Sequence, residues 1–351
     1  MPQALSPQAQ ARHAGLRWID DRQPGLQREA GRGGFRYRDA DGRLVRDADT
    51  LERIRRLAIP PAWQGVWISP DPDGHLQATG RDARGRKQYR YHPDWMAGRG
   101  QTKFDGLRCF GTVLPRLRRR VQRVLAGPAV PTRERVLATL VWLLDTTWLR
   151  IGNSAYAREN GSFGLSTLRN RHADVKGPAI ELSFVGKSGV RHQVRVTDRR
   201  VARIVRRCRE LPGQELFRYL DETGESRAVG SADVNAWLLA AAGQRVTAKD
   251  FRTWHGSVLA LQLTLQACAD GAAPCRPQQV LQQVARRLGN TPAVCRKAYI
   301  HPQVLGLGEA LGDETSRAAL RSRSWAQPPD RQPGLTVPER QLLALLRRRG
   351  G

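Results

Sequence analysis

The sequence predicts an α+β protein: a small β-rich N-terminal domain, then a larger, mainly α-helical domain with a β-hairpin inserted in it. Three observations support this. Short runs of alternating polarity broken by Asp-Gly turns occupy residues 30 to 95. Beyond about residue 104, apolar residues recur at helical spacing. AIELSF, VGKSG and VRHQVRV (179–196) form one pattern, with Ile180, Leu182 and Phe184 alternating before the turn and Val190, Val194 and Val196 after it. A chain of 351 residues has room for two such domains.

In chain order, GGFRYRDADGRLV (33–45) offers a strand pair around Asp41-Gly42, and GVWISPDPDGHLQATG (65–80) another around Asp73-Gly74. RKQYRYH (86–92) is the last strand of this domain, and MAGRGQTK (96–103) reads as a linker. The first long helix follows Pro131-Thr132. Its face is Val136, Leu140, Leu143, Leu144 and Thr147, and Gly152-Asn153 is its stop signal. Further helices are expected near 198–210, 231–242, 251–268 and 277–287. After about 313 the chain is rich in Arg, Ser and Pro before LLALLRRRGG. The division is therefore 1–98, 99–312 and a basic tail, 313–351. DRQPGL occurs at both 21–26 and 330–335, which without further periodicity is chance.

The formal net charge is +27, from 59 Lys and Arg against 32 Asp and Glu. Such an excess attracts polyanions. A membrane is the weaker candidate, because the longest apolar stretch, VLATLVWLLDTTWL, is short and contains Asp145. Five cysteines without a CxxC pair argue against a disulfide framework and a zinc site, and the first residues lack an apolar signal region. The expectation is a cytoplasmic protein. Nearly all the positive charge is arginine, so the six lysines, at 87, 103, 176, 187, 249 and 297, are informative.

VGKSG lacks the GxxxxGK[ST] spacing and lies between two strands, where a phosphate loop needs a strand before and a helix after. The acids are scattered singly, which disfavours a two-metal site, so neither metal nor cofactor is expected. In RKQYRYH, aromatic faces could stack on nucleotides, cations could neutralise phosphates and Gln88 could pair with a base edge; an ordinary surface strand is the alternative. Metal-free cleavage of a phosphodiester needs an in-line nucleophile, cationic donors to the non-bridging oxygens and an acid for the leaving oxygen. Tyrosine, two arginines and lysine would suffice. Arg150 in LRIGN, Lys187 at the hairpin tip, Arg252 in KDFRTWHGS and Tyr299 in GNTPAVCRKAYIHP stand in suitable contexts. Taken singly, each of these side chains has an ordinary reading as a surface contact, a solvated turn residue or half-buried packing. His255 and His301 read as local hydrogen-bonding groups rather than catalysts.

GRKQYRYHPDW, RIGNSAYARENGSFGLSTLRNRH, FVGKSGVRH, KDFRTWHGS and GNTPAVCRKAYIHP occur in one order, and together they resemble the poxvirus-type type IB DNA topoisomerases in their bacterial branch. The resemblance spans about 30 to 305. It implies a catalytic domain of the tyrosine recombinase/type IB topoisomerase kind and ATP-independent relaxation of supercoiled DNA. By position it makes Tyr299 the residue that forms a 3′-phosphotyrosyl bond, Arg150 and Arg252 the phosphate clamp, and Lys187 the general acid. Asn290 stands where poxvirus and eukaryotic members have histidine, and an amide can donate a hydrogen bond there but cannot titrate. The resemblance also implies DNA contacts at Lys87, Gln88, Tyr89, Tyr91, Asn153 and Tyr156, and a monomer that clamps double-stranded DNA and associates with the nucleoid. Two rivals share some of these features. Tyrosine recombinases use a similar residue set but carry histidine three residues before the second arginine, where this chain has Lys249. A non-catalytic basic DNA-packaging protein would explain the charge but needs no ordered tyrosine and lysine.

Overall fold

The computed structural model describes residues 6–347 apart from 32, 84, 270–275, 311–314, 316–322, 324, 325 and 328–330. The chain divides into two compact units, residues 1–104 and 105–351.

The first unit is built on an antiparallel sheet. Its strands β1 (Leu26–Gly31), β2 (Gly34–Arg38), β3 (Gln64–Ile68), β4 (Leu76–Arg81) and β5 (Lys87–Tyr91) lie in the order β2-β1-β3-β4-β5. Helix α1 (Pro7–His13) precedes them, started by the Ser6 hydroxyl, which accepts from the Ala9 amide. Helix α2 (Ala48–Arg56) starts at Asp47, whose carboxylate accepts from the Thr50 amide at 2.8 Å. Ile54 from α2 packs with Leu26, Val66, Ile68 and Ala78 to form the core of this unit. The pairing around Asp73-Gly74 is as the sequence predicts, with β3 and β4 antiparallel. The pairing around Asp41-Gly42 is not. Strand β2 pairs with the upstream β1, and the Asp39–Arg43 turn closes only a bridge between Arg38 and Leu44. The carboxylate of Asp39 binds the amides of Asp41 and Arg43, so the turn is stabilised locally without extending a ladder.

Residues 96–103, expected to be a linker, are helical: they lie within α3 (Pro93–Leu125), and the division between the units falls inside this helix. The second unit is helical around α4 (Arg133–Thr147), whose N-cap is Thr132. All five residues of the expected face of α4 are buried. Trp148 in the left-handed conformation (φ 61°) ends this helix, four residues before the expected stop. Helix α5 (Ser154–Asn160) follows; then β6 (Ala173–Lys176), β7 (Ala179–Val185) and β8 (Arg191–Thr197) form a three-stranded antiparallel sheet that contains the expected hairpin. Next come α6 (Arg199–Glu210), the short pair β9 (Arg218–Leu220) and β10 (Ser226–Ala228), α7 (Ser231–Ala242), α8 (Ala248–Ala269), α9 (Pro277–Leu288), α10 (Pro292–Ala298) and α11 (Pro302–Ala310).

The segment set apart as a basic tail contains a core element. Helix α12 (Val337–Arg347) buries Leu342, Leu343 and Leu345 in the same cluster as Phe110, Leu140 and Trp254. The apolar spacing of LLALL determines this, because a helix with such a stripe is stable only against a core. No helix among the described residues is long and apolar enough to cross a membrane. Cys109, Cys208 and Cys295 are free thiols; Cys275 and the side chain of Cys268 lie outside the described residues.

Candidate active site

Four of the five residues singled out for chemistry converge although they come from distant parts of the chain. Arg150 follows α4, Arg252 sits in the first turns of α8, Asn290 lies in the turn between α9 and α10, and Tyr299 caps α10. The turn at Asn290 follows from Gly289, the left-handed C-cap of α9 (φ 59°), and from Thr291, whose hydroxyl caps α10 at the Val294 amide.

Arg150 is held by backbone closure. The Leu165 amide donates to the Arg150 carbonyl at 2.9 Å, and the Ser166 amide to the Ile151 carbonyl at 2.6 Å. Gly164 makes this possible, since a β-carbon there would lie 2.5 Å from the Gly152 nitrogen and 2.7 Å from the Arg150 carbonyl oxygen. Arg150 Nη2 donates to Asn290 Oδ1, which turns the Asn290 amide nitrogen the other way.

Arg252 is 3% exposed, and burying a guanidinium so deeply demands partners. Its Nη1 donates to the Trp148 carbonyl, and its Nη2 to the Leu288 carbonyl at 2.7 Å. Its Cζ lies 4.9 Å from the centroid of the Tyr299 ring. Both accepting carbonyls belong to helix ends, where backbone oxygens have no partner within the helix. The left-handed Trp148 presents one of them, a conformation that costs about 1 kcal/mol for a residue with a side chain. The Trp148 ring stacks on His255 with centroids 5.0 Å apart, and His255 Nε2 is 2.9 Å from Asp145 Oδ1. These contacts are those of a local hydrogen-bonding group, consistent with the reading of His255 from its sequence.

Among the described residues, three buried donors at this site lack a well-formed hydrogen bond: Arg150 Nη1, Arg252 Nε and Asn290 Nδ2. The Arg252 guanidinium also lies close enough to the Tyr299 hydroxyl to interact with it. The Cys295 thiol beside Asn290 is too weak an acceptor to satisfy an amide. Burial pushes the Tyr299 phenol up, but the Arg252 and Arg150 guanidiniums outweigh it and hold the group below its ordinary value. Burial, reinforced by the charge of Arg150, lowers the Arg252 guanidinium. The arrangement gathers two guanidiniums and an amide near a phenol, a concentrated positive field. Among the described residues, no cluster of three or more His, Cys, Asp or Glu could hold a metal ion.

Lys187 is exposed in the turn between β7 and β8 and makes no hydrogen bond or ion pair among the described residues. Its hairpin approaches the cluster through His192, a residue that no pattern in the sequence picks out. The only available sign was its place in FVGKSGVRH.

The expected nucleic-acid contacts are dispersed. Tyr89 and Tyr91 lie on one face of β5 with rings stacked at 5.9 Å, and Tyr89 is 45% exposed. Lys87 shares this face but pairs with Asp21 at 2.5 Å, while Gln88 turns to the opposite face and donates to Asp82 at 2.9 Å. Asn153 caps α5, its Oδ1 accepting from the Ala155 amide. The side chain of Tyr156 lies outside the described residues.

Residues 92–312 match the family described as eukaryotic DNA topoisomerase I, catalytic core, and residues 34–82 match bacterial DNA topoisomerase IB, N-terminal domain. DNA topoisomerase 1B of Acanthamoeba polyphaga mimivirus is 31% identical over 293 residues, covering 81% of this chain and 87% of the viral protein. DNA topoisomerase 1B of vaccinia virus (strain Copenhagen) is 23% identical over 235 residues, covering 65% of this chain and 70% of its own.

Proposed function

The chain belongs to the type IB DNA topoisomerases, and on that premise we propose that Tyr299 is the nucleophile, Arg150, Arg252 and Asn290 the donors to the scissile phosphate, and Lys187 the general acid. The observation that carries this reading is the set of three buried donors unpartnered among the described residues, two on the bonded pair Arg150 and Asn290 and one on Arg252, which lies over the Tyr299 ring. Buried donors are normally satisfied, and a phosphodiester supplies the oxygens these ones lack. The Tyr299 oxygen attacks phosphorus while the bond from phosphorus to the 5′ oxygen breaks. The phenol proton leaves to solvent, and Lys187 protonates the departing 5′ oxygen. The 3′-phosphotyrosyl bond retains the energy of the phosphodiester, so the free 5′ hydroxyl reverses the reaction after strand rotation without ATP. Losing one donor of this kind costs about 10²–10³ in rate.

Asn290 suits its role through its bond to Arg150: with Oδ1 engaged, Nδ2 is the atom left to meet a phosphoryl oxygen. On the first unit, Tyr89 and Tyr91 offer a stacking surface, and Lys87 becomes available once DNA displaces Asp21. Lys87, Gln88, Tyr89, Tyr91, Asn153 and Tyr156 are the proposed DNA contacts. The protein acts as a monomer on double-stranded DNA and resides with the nucleoid.

The test is relaxation of supercoiled plasmid in EDTA without ATP, with SDS to trap adducts. Wild type is expected to relax DNA and to leave protein on a 3′ end, and Tyr299→Phe to do neither. Activity surviving in Tyr299→Phe would assign the nucleophile to another residue, and tight binding without relaxation would reject the catalytic reading.

A further inference from the structure

The hairpin that presents Lys187 must be held at a fixed place over the site, yet Lys187 itself makes no hydrogen bond or ion pair among the described residues. The register of the hairpin sets Phe184 opposite His192, and their rings stack 5.1 Å apart with Phe184 in the core. From this anchored base the imidazole edge enters a narrow gap. A β-carbon at Gly186 would lie 2.7 Å from His192 Cδ2 and 2.8 Å from Nε2; a β-carbon at Gly289 would lie 2.8 Å from Cε1. Real contacts of that length do not occur, so the ring fits only because both neighbours are glycine. Gly289 needs its freedom in any case, because its φ is 59°. Gly186 does not: its φ of −96° and ψ of −168° suit any residue, and its close neighbours are His192 side-chain atoms.

Gly186 belongs to the turn that carries Lys187, and Gly289 adjoins Asn290, the partner of Arg150. We propose that His192 is a positioning residue: its ring, wedged between the Gly186 and Gly289 backbones, seats the Lys187 turn against the turn that holds Asn290. This inference rests on the assignment of Lys187 as general acid made above. His192 acts through its volume rather than its proton, since burial and the adjacent Arg150 and Arg252 charges lower its imidazole and favour the neutral ring.

The test exploits the leaving group. A duplex with sulfur in place of the bridging 5′ oxygen at the scissile phosphate expels a thiolate, which needs no proton from Lys187. Single-turnover cleavage by His192→Ala is expected to fall roughly 10- to 100-fold on the oxygen substrate, the scale of a 1 Å misplacement. On the sulfur substrate it should return to within about threefold of wild type, as Lys187→Ala should. Gly186→Ala, which crowds the ring without straining the backbone, should show the same pattern. Combined with His192→Ala it should add little, because both changes remove one seat. If His192→Ala does not fold, Gly186→Ala carries the test alone. Equal losses on both substrates would place His192 with the phosphate donors and overturn the proposal, as would wild-type cleavage of the oxygen substrate. Failure of Lys187→Ala to recover on sulfur would instead overturn the general-acid assignment, a separable result.

Discussion

Two arginine clusters in the second unit receive opposite treatment. Arg118, on α3, has every guanidinium nitrogen satisfied: Nε and Nη2 bond to Asp145 at 2.7 and 3.0 Å, Nη1 and Nη2 to Glu339 at 2.9 and 2.8 Å, and Nη1 also to the Gly334 carbonyl at 2.7 Å. Arg252 is more deeply buried but has no carboxylate partner among the described residues: it donates to two backbone carbonyls, interacts with the Tyr299 phenol and lies near a second guanidinium. The balance of burial and pairing raises the first arginine above its ordinary value and lowers the second. A buried charge that is fully paired belongs to the scaffold. Arg252 differs from Arg90, Arg135 and Arg340, which also keep a buried Nε without a partner, in lying beside a second guanidinium and a phenol, the setting in which the proposed function has a ligand complete the bonding.

The sharpest way to break this contrast is to remove Glu339. Its carboxylate also accepts from Trp254 Nε1 at 3.1 Å, so Glu339→Ala leaves a buried guanidinium half-paired and an indole donor without an acceptor. The expected loss is about 3 kcal/mol of stability, read in calorimetry as a Tm roughly 10 °C lower for a unit of this size. Next, Arg150→Ala should slow single-turnover cleavage by about 10²–10³ while lowering Tm much less than Glu339→Ala, because Nη1 has no partner to lose and only the bond to Asn290 goes. A large drop in Tm instead would make Arg150 a scaffold residue. The smallest effect concerns acid. Burial pushes Asp145 up, but bonds from His255 and Arg118 outweigh it and hold the carboxyl at about 2, below its ordinary 3.8. With the folded value depressed, the stabilisation is fully present above about pH 4 and is lost as pH falls through about 2. It amounts to roughly 2 kcal/mol, and replacing Asp145 with Asn should remove that part of the acid dependence from unfolding curves.

The contrast also separates what the sequence could and could not convey. The face of α4 and the strands of the hairpin were legible because burial there follows helical and two-residue periods. Tyr299, Arg150, Arg252 and Asn290 could be named from ordered motifs, and the turns that bring them together use ordinary signals such as Gly289 and Thr291-Pro292. Gln88 was grouped with Lys87, Tyr89 and Tyr91 as neighbours in sequence, but a strand sends alternate residues to opposite faces, and Gln88 serves Asp82. The partner of β2 was missed because a local turn signal says nothing about upstream pairing. Glu339 and His192 had no signal of their own. Each acquires its role from tertiary contacts, with Arg118 221 residues away in the first case and with Gly289 in the second.

The bond between Arg118 and Glu339 also sets an order of events during synthesis. At roughly 5–20 residues per second, the 221 residues between them take about 10–45 s to emerge. Throughout that interval the guanidinium lacks its Glu339 partner, and for the last 85 residues of it the indole of Trp254 lacks its acceptor too. A nascent chain that already contains Tyr299, Arg150 and Arg252 must therefore wait for α12 before its second unit gains this ion pair and the last leucines of its core.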